Sequence, residues 1–101
     1  MQASVTTDSG SADVKLSGRF DFNAHREFRA AYEQVVADAS VRTLNIDMAG
    51  VEYLDSSALG MLLMLRDKAG AANKALTLSN VRGAVKQVLD IANFGKLFRI
   101  V

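Results

Sequence analysis

The chain has 101 residues, half of them hydrophobic and 23% charged, with twelve basic side chains against eleven acidic ones for a net charge of +1. That is the size and composition of one folded domain, and it leaves no positive excess for a nucleic-acid surface. With no cysteine and one histidine, disulfides, thiol catalysis, Cys-based zinc sites and a His-rich metal centre are excluded.

The first ten residues are polar and lack the charged end and apolar core of a signal peptide. Residues 2–6 and 14–20 predict a hairpin around a Thr, Ser, Gly and Asp-rich turn at 6–13. Val14 and Leu16 alternate with Lys15 and Ser17, the period of a half-buried strand. Asn23 offers a helix N-cap, and Phe28, Ala31, Tyr32, Val35, Val36 and Ala39 form one helical stripe. Residues 42–48 return to period two, with Leu44, Ile46 and Met48 on one face. A linker is expected at 49–54 and a second helix over 58–70. The longest apolar stretch, Ala58 to Leu65, falls far short of the ~20 residues of a membrane span. A short strand is predicted at 75–79. Asn80 then caps a third helix with the stripe Val81, Val85, Val88, Leu89 and Ala92. Gly95 stands as its stop, and residues 97–101 form a last strand. The order ββαβαβαβ predicts one α/β domain over residues 1–101, with a mixed, mostly parallel sheet and three helices.

Chemistry concentrates at Asp55, Ser56 and Ser57, polar residues set abruptly against the most apolar helix. Such residues satisfy the orphan N–H groups of a helix start, so N-capping is one reading. A phosphate on Ser56 or Ser57 is the other. It would meet the same N–H groups and the positive end of the helix dipole. It would add about −1.5 to −2 charges, altering the surface rather than the fold. Leu62 and Leu63 are expected in the core. Met61 and Met64 read equally as partner contacts or as gap-fillers. Gly60, which costs ~1 kcal/mol relative to Ala in a helix, predicts a close backbone approach by this chain or another. His25 and the Arg82/Lys86 pair read as solvated surface. An enzyme reading needs Ser56 as nucleophile with a base such as His25, and no G-x-S-x-G elbow supports it. A nucleotide-binding reading lacks a G-x-x-x-x-G-K-[ST] loop.

These residues carry a family resemblance. Asp55-Ser56-Ser57-Ala58-Leu59-Gly60 resembles the D-S-[ST]-[GA]-L-G signature of the STAS domain family, in particular its small anti-sigma factor antagonists. Gly18-Arg19-Phe20-Asp21 resembles that family's G-x-[LF]-D. Leu44 to Met48 is similar to its third strand. The segment with Val85, Leu89, Phe94 and Phe98 is similar to its last helix and strand. The resemblance implies a small STAS-like fold and a non-enzymatic switch in the cytoplasm, with no catalytic residue, cofactor or metal. It implies Ser56 as the phosphorylation site, with Asp21 and Asp55 close by and Ser57 in a structural hydroxyl position. The implied partners are an anti-sigma factor with serine kinase activity, bound by the unmodified form so that a sigma factor is freed, and a metal-dependent serine phosphatase. No direct nucleic-acid or membrane partner is implied, and a monomer is expected. Ala58, Leu59, Gly60, Met61 and Met64 are the expected contact residues. Ala58 departs from the commoner Gly, a change a helix accommodates. A STAS-type module that binds a nucleotide or a non-sigma regulator is the alternative.

Overall fold

In the computed structural model, which describes residues 1–101, one sheet carries three helices. The strands are β1 (Gln2–Asp8), β2 (Ser11–Phe20), β3 (Thr43–Leu54), β4 (Ala75–Ser79) and β5 (Arg99–Ile100). The helices are α1 (His25–Ala37), α2 (Ser56–Ala71) and α3 (Gly83–Ile91), with 3-10 turns at Phe22–Ala24 and Phe94–Lys96. Sheet order follows chain order, β1-β2-β3-β4-β5. β1 and β2 are antiparallel, and the other neighbours are parallel. Each parallel crossover steps the same way, so right-handed connections place all three helices on one face. Burial agrees. Ala12, Val14 and Leu16 are buried, while Ser11, Asp13 and Lys15 between them are exposed. No helix is long and apolar enough to cross a membrane.

The hairpin forms as expected, with a tighter turn. Ser9 (φ 50°) and Gly10 (φ 88°) are both left-handed, the geometry of a two-residue type I′ turn that matches strand twist. The expected linker at 49–54 is instead the second half of β3. The alternation that places Leu44, Ile46 and Met48 inside breaks there, with Val51 and then Leu54 buried. The cause is a register shift against β2 between Lys15 and Ser17, followed by another between Gly18 and Arg19. Such bulges change which side chains face the core. Gly50 permits this close approach, since a Cβ there would stand 2.8 Å from the Leu16 carbonyl oxygen.

Other boundaries move for identifiable reasons. Asp21, not Asn23, caps the chain into α1: its Oδ1 accepts from the Asn23 N–H at 3.0 Å. α1 ends at Ala37, so Ala39 is exposed rather than on the stripe. Asn80 does not cap α3. It is left-handed, and its side-chain amide donates to Asp47 at 2.9 Å. α3 stops at left-handed Asn93 rather than at Gly95. Phe94–Lys96 then forms a 3-10 turn, which shortens the last strand to Arg99–Ile100.

The core joins the sheet's inner face to Phe28, Ala31, Tyr32 and Val35 of α1, Ala58, Met61, Leu62 and Leu65 of α2, and Val85 and Leu89 of α3. The rings of Phe20, Phe28 and Tyr32 form a chain with centroids 4.9 and 5.2 Å apart. Lys74 is the one buried charged side chain. Its Nζ donates to the Asp38 and Val41 carbonyls, tying the α1–β3 connection to the start of β4. Those donations satisfy carbonyls that burial would otherwise leave at a cost.

Candidate functional site

The site stands where two neighbouring parallel strands end together. Phe20 of β2 pairs with Leu54 of β3, and the Asp55 N–H donates to the Phe20 carbonyl at 3.3 Å. Each strand is therefore followed by an aspartate that starts the next helical segment. Asp21 caps the turn before α1. Asp55, in extended backbone, accepts the Ala58 N–H on Oδ1 at 3.0 Å and caps α2. Register thus explains how Asp21 and Asp55, thirty-four positions apart in their strands' pairing, reach the same end of the sheet.

Capping by Asp55 separates two roles that the sequence left joined. Ser56 is the first residue of α2, and Ser56 and Ser57 are exposed. The first turn of α2 carries no acidic side chain of its own, so a phosphate on Ser56 would meet the helix's positive end. The flanking carboxylates each accept one backbone N–H, and Asp21 also has a cation nearby. Arg19 Nε lies 3.7 Å from Asp21 Oδ2.

Burial along α2 sorts the expected contact residues. Ser56, Ser57, Gly60, Met64 and Asp67 are exposed, and Leu59 and Leu63 are half-buried. Ala58 and Met61 are core residues, at 0% and 6% exposure. They cannot present a docking surface, which corrects their expected place among the contacts. The reason is spacing: Ala58, Met61, Leu62, Leu65 and Ala69 fall on the one stripe that meets the sheet. Leu63 lies at the edge of that stripe rather than within it. At Gly60 an added Cβ would meet nothing within 4 Å. The close approach expected there is therefore not made by this chain.

Three side chains at the site were not singled out from the sequence. Phe22 is 68% exposed and Tyr53 42%, comparable to Met64 at 44%. The Arg19 guanidinium carbon stands 4.1 Å from the Tyr53 ring centroid, a cation–π pair set by the register Arg19 to Tyr53. Arg19 and Tyr53 each precede a buried residue, Phe20 and Leu54, and so point to the opposite side of the sheet. That parity is the signal in the sequence, and it is legible only where residues 49–54 are strand. His25 opens α1 on the surface. Lys86 pairs with Asp90 at 2.7 Å on exposed α3, the solvated face expected for that charge.

Comparison with known proteins gives concordant matches. A family model described as Mlab, STAS domain matches residues 3–101. The chain is 45% identical over 95 residues to a STAS-domain containing protein of Pseudomonas aeruginosa (strain UCBPP-PA14), covering 94% of this chain and 92% of that one. An anti-sigma factor antagonist from Mycobacterium paratuberculosis is similar in structure, with a TM-score of 0.87 at 25% identity over 98% of this chain and 83% of that one. The anti-sigma factor antagonist SpoIIAA has the same fold in two states. Its unphosphorylated form matches with a TM-score of 0.74 at 19% identity, covering 98% of this chain and 86% of that one. Its phosphorylated form, from Bacillus, matches with a TM-score of 0.74 at 18% identity, covering 98% and 90%.

Proposed function

The chain belongs to the STAS domain family, and from that premise we propose that it is a partner-switching module controlled by phosphorylation of Ser56. In this reading the unmodified protein acts in the cytoplasm as an anti-sigma factor antagonist. It binds an anti-sigma factor that is also a serine kinase, and a sigma factor is freed. Phosphate on Ser56 releases the partner, and a metal-dependent serine phosphatase restores binding. The protein itself catalyses nothing.

The observation that carries the reading is the division of labour at the start of α2. Asp55 caps the helix, so the exposed Ser56 hydroxyl is spare. A phosphate there joins the N-terminal N–H groups without unmaking the cap. The exposed residues Gly60 and Met64 continue along the same helix, and exposed Phe22 follows Asp21 at the same end of the sheet. A partner covering that surface must desolvate whatever Ser56 carries. A hydroxyl costs little there. A group of about −1.5 to −2 charges, beside Asp21 and Asp55, costs desolvation and like-charge repulsion.

The test is to map phosphate by mass spectrometry on the chain incubated with the kinase it captures and ATP. Wild type, Ser56→Ala and Ser56→Asp are compared as baits in parallel. Phosphate on Ser56, with the partner held by the first two baits and lost by the third, is the expected result. Phosphate absent from Ser56, with three equivalent baits, removes the reading.

A further inference from the structure

The two edges of the sheet are treated differently. β5 is two residues long and carries exposed Arg99, the brevity and charge that discourage further strand pairing. β1 has seven residues, Gln-Ala-Ser-Val-Thr-Thr-Asp, with no lysine, proline or bulge. Its one charge is Asp8, at the end. An edge this long and flat is a template for another strand.

We propose that β1 joins β1 of a second copy of this chain, making a two-fold dimer with one continuous ten-stranded sheet. The bonding pattern selects the register. The two-residue turn at Ser9 and Gly10 makes Asp8 and Ser11 the closing hydrogen-bonded pair. Alternation then gives Thr6, Ser4 and Gln2 inward bonds to β2. The N–H and C=O groups of Ala3, Val5 and Thr7 point out along the free edge. Antiparallel self-pairing with Val5 opposite Val5 sets Ala3 against Thr7 and satisfies every one of those outward groups. A shift by two residues in either direction leaves some of them unpaired.

Side chains fit the same register. Asp8 meets the neutral amide of Gln2, so no two like charges face each other, and Ser4 meets Thr6. The second copy is favoured over a foreign strand by this self-complementarity of charge and bonding. The two-fold axis stands perpendicular to the sheet, which keeps the helices of both copies on one face. A groove of about 550 Å3 lies between β1 and α1, lined by Ala3, Val5, Glu27, Ala30 and Gln34. Ala30 presents only a methyl group there. The joint leaves the exposed face of α2 uncovered, so the dimer presents two docking faces. It stands independently of the switch at Ser56, and it differs from the monomer expected from the sequence.

Sedimentation equilibrium of the full chain over a wide concentration range tests the proposal. Wild type should show a monomer–dimer equilibrium. Thr7→Pro deletes an outward N–H at an exposed position and should weaken it by about tenfold or more. Ser4→Glu with Thr6→Lys places opposite charges across the joint, each also opposite a complementary β2 partner (Lys15 and Asp13), and should tighten it. Circular dichroism verifies that each variant folds. A wild type that stays monomeric at millimolar concentration overturns the proposal. So does a dimer that ignores both variants, or one abolished by Met64→Lys, which would place the joint on α2.

Discussion

Replacing Gly60 by alanine separates the stability of α2 from its use as a surface. Gly60 lies within α2, and a Cβ built on it meets nothing within 4 Å. In the free protein the substitution therefore removes only the conformational cost of a helical glycine, about 1 kcal/mol. For a domain of this size that gain raises Tm by about 4–8 °C. If the partner's backbone packs against Gly60, the same methyl stands in the interface. Overpacking of that kind costs about 1–3 kcal/mol, which weakens binding about 5- to 150-fold. The two effects have opposite signs, so loss of fold cannot imitate the result. Thermal denaturation gives the first and isothermal titration with the captured partner gives the second. Higher Tm with unchanged affinity would refute the placement of the partner on this face. A lower Tm would refute the account of the helix itself.

Asp55→Ala removes the acceptor for the Ala58 N–H and should cost about 1 kcal/mol, measured by urea denaturation. Amide exchange should then rise first at Ala58, at the start of α2. Asp47 offers a pH test. The hydrogen bond from Asn80 is the main influence holding its carboxyl below the ordinary value, helped by the Ala49 N–H and the nearby Lys15 and Arg82, against a partial burial that pushes it up. A depressed carboxyl stabilises the fold above the unfolded aspartate value of about 3.9 and loses that contribution as pH falls through the folded value. Asn80→Gly keeps the left-handed backbone while removing the amide. It should cost about 0.5 kcal/mol near neutrality, solvent screening included, and the gap to wild type should close in acid. Chemical denaturation across pH checks it, and a gap that persists unchanged at low pH would contradict the assignment.

Much of the architecture was legible because hydrophobic period tracks secondary structure wherever one face is buried. The stripe Phe28, Ala31, Tyr32 and Val35 read as a helix and is one. Leu76 and Leu78 marked β4 with its bounds at Ala75–Ser79. The reading failed where a rule changed partway along an element. β3 reverses its alternation at the Gly50 bulge, a feature of pairing with β2 that one strand's own residues do not reveal. α3 ends at Ile91 and the chain turns away through Asn93, since asparagine adopts the left-handed turn that glycine was expected to supply. At the site, Asp55 and Ser56 stood out because polar residues interrupt an apolar run. Met61 was misplaced because α2 is apolar all round, so its sequence does not distinguish the inward side. The Arg19–Tyr53 pair depends on strands distant in sequence meeting in register.

The central claim is that phosphate on Ser56 controls binding, and the most direct measurement is the affinity of one partner for two forms of this chain. Unmodified protein and protein phosphorylated at Ser56 alone are titrated against the captured partner, with circular dichroism confirming equal folding. The account predicts an affinity lower by about tenfold or more for the phosphorylated form, because its charge must be desolvated beside Asp21 and Asp55. Equal affinities, or tighter binding by the phosphorylated form, would contradict it.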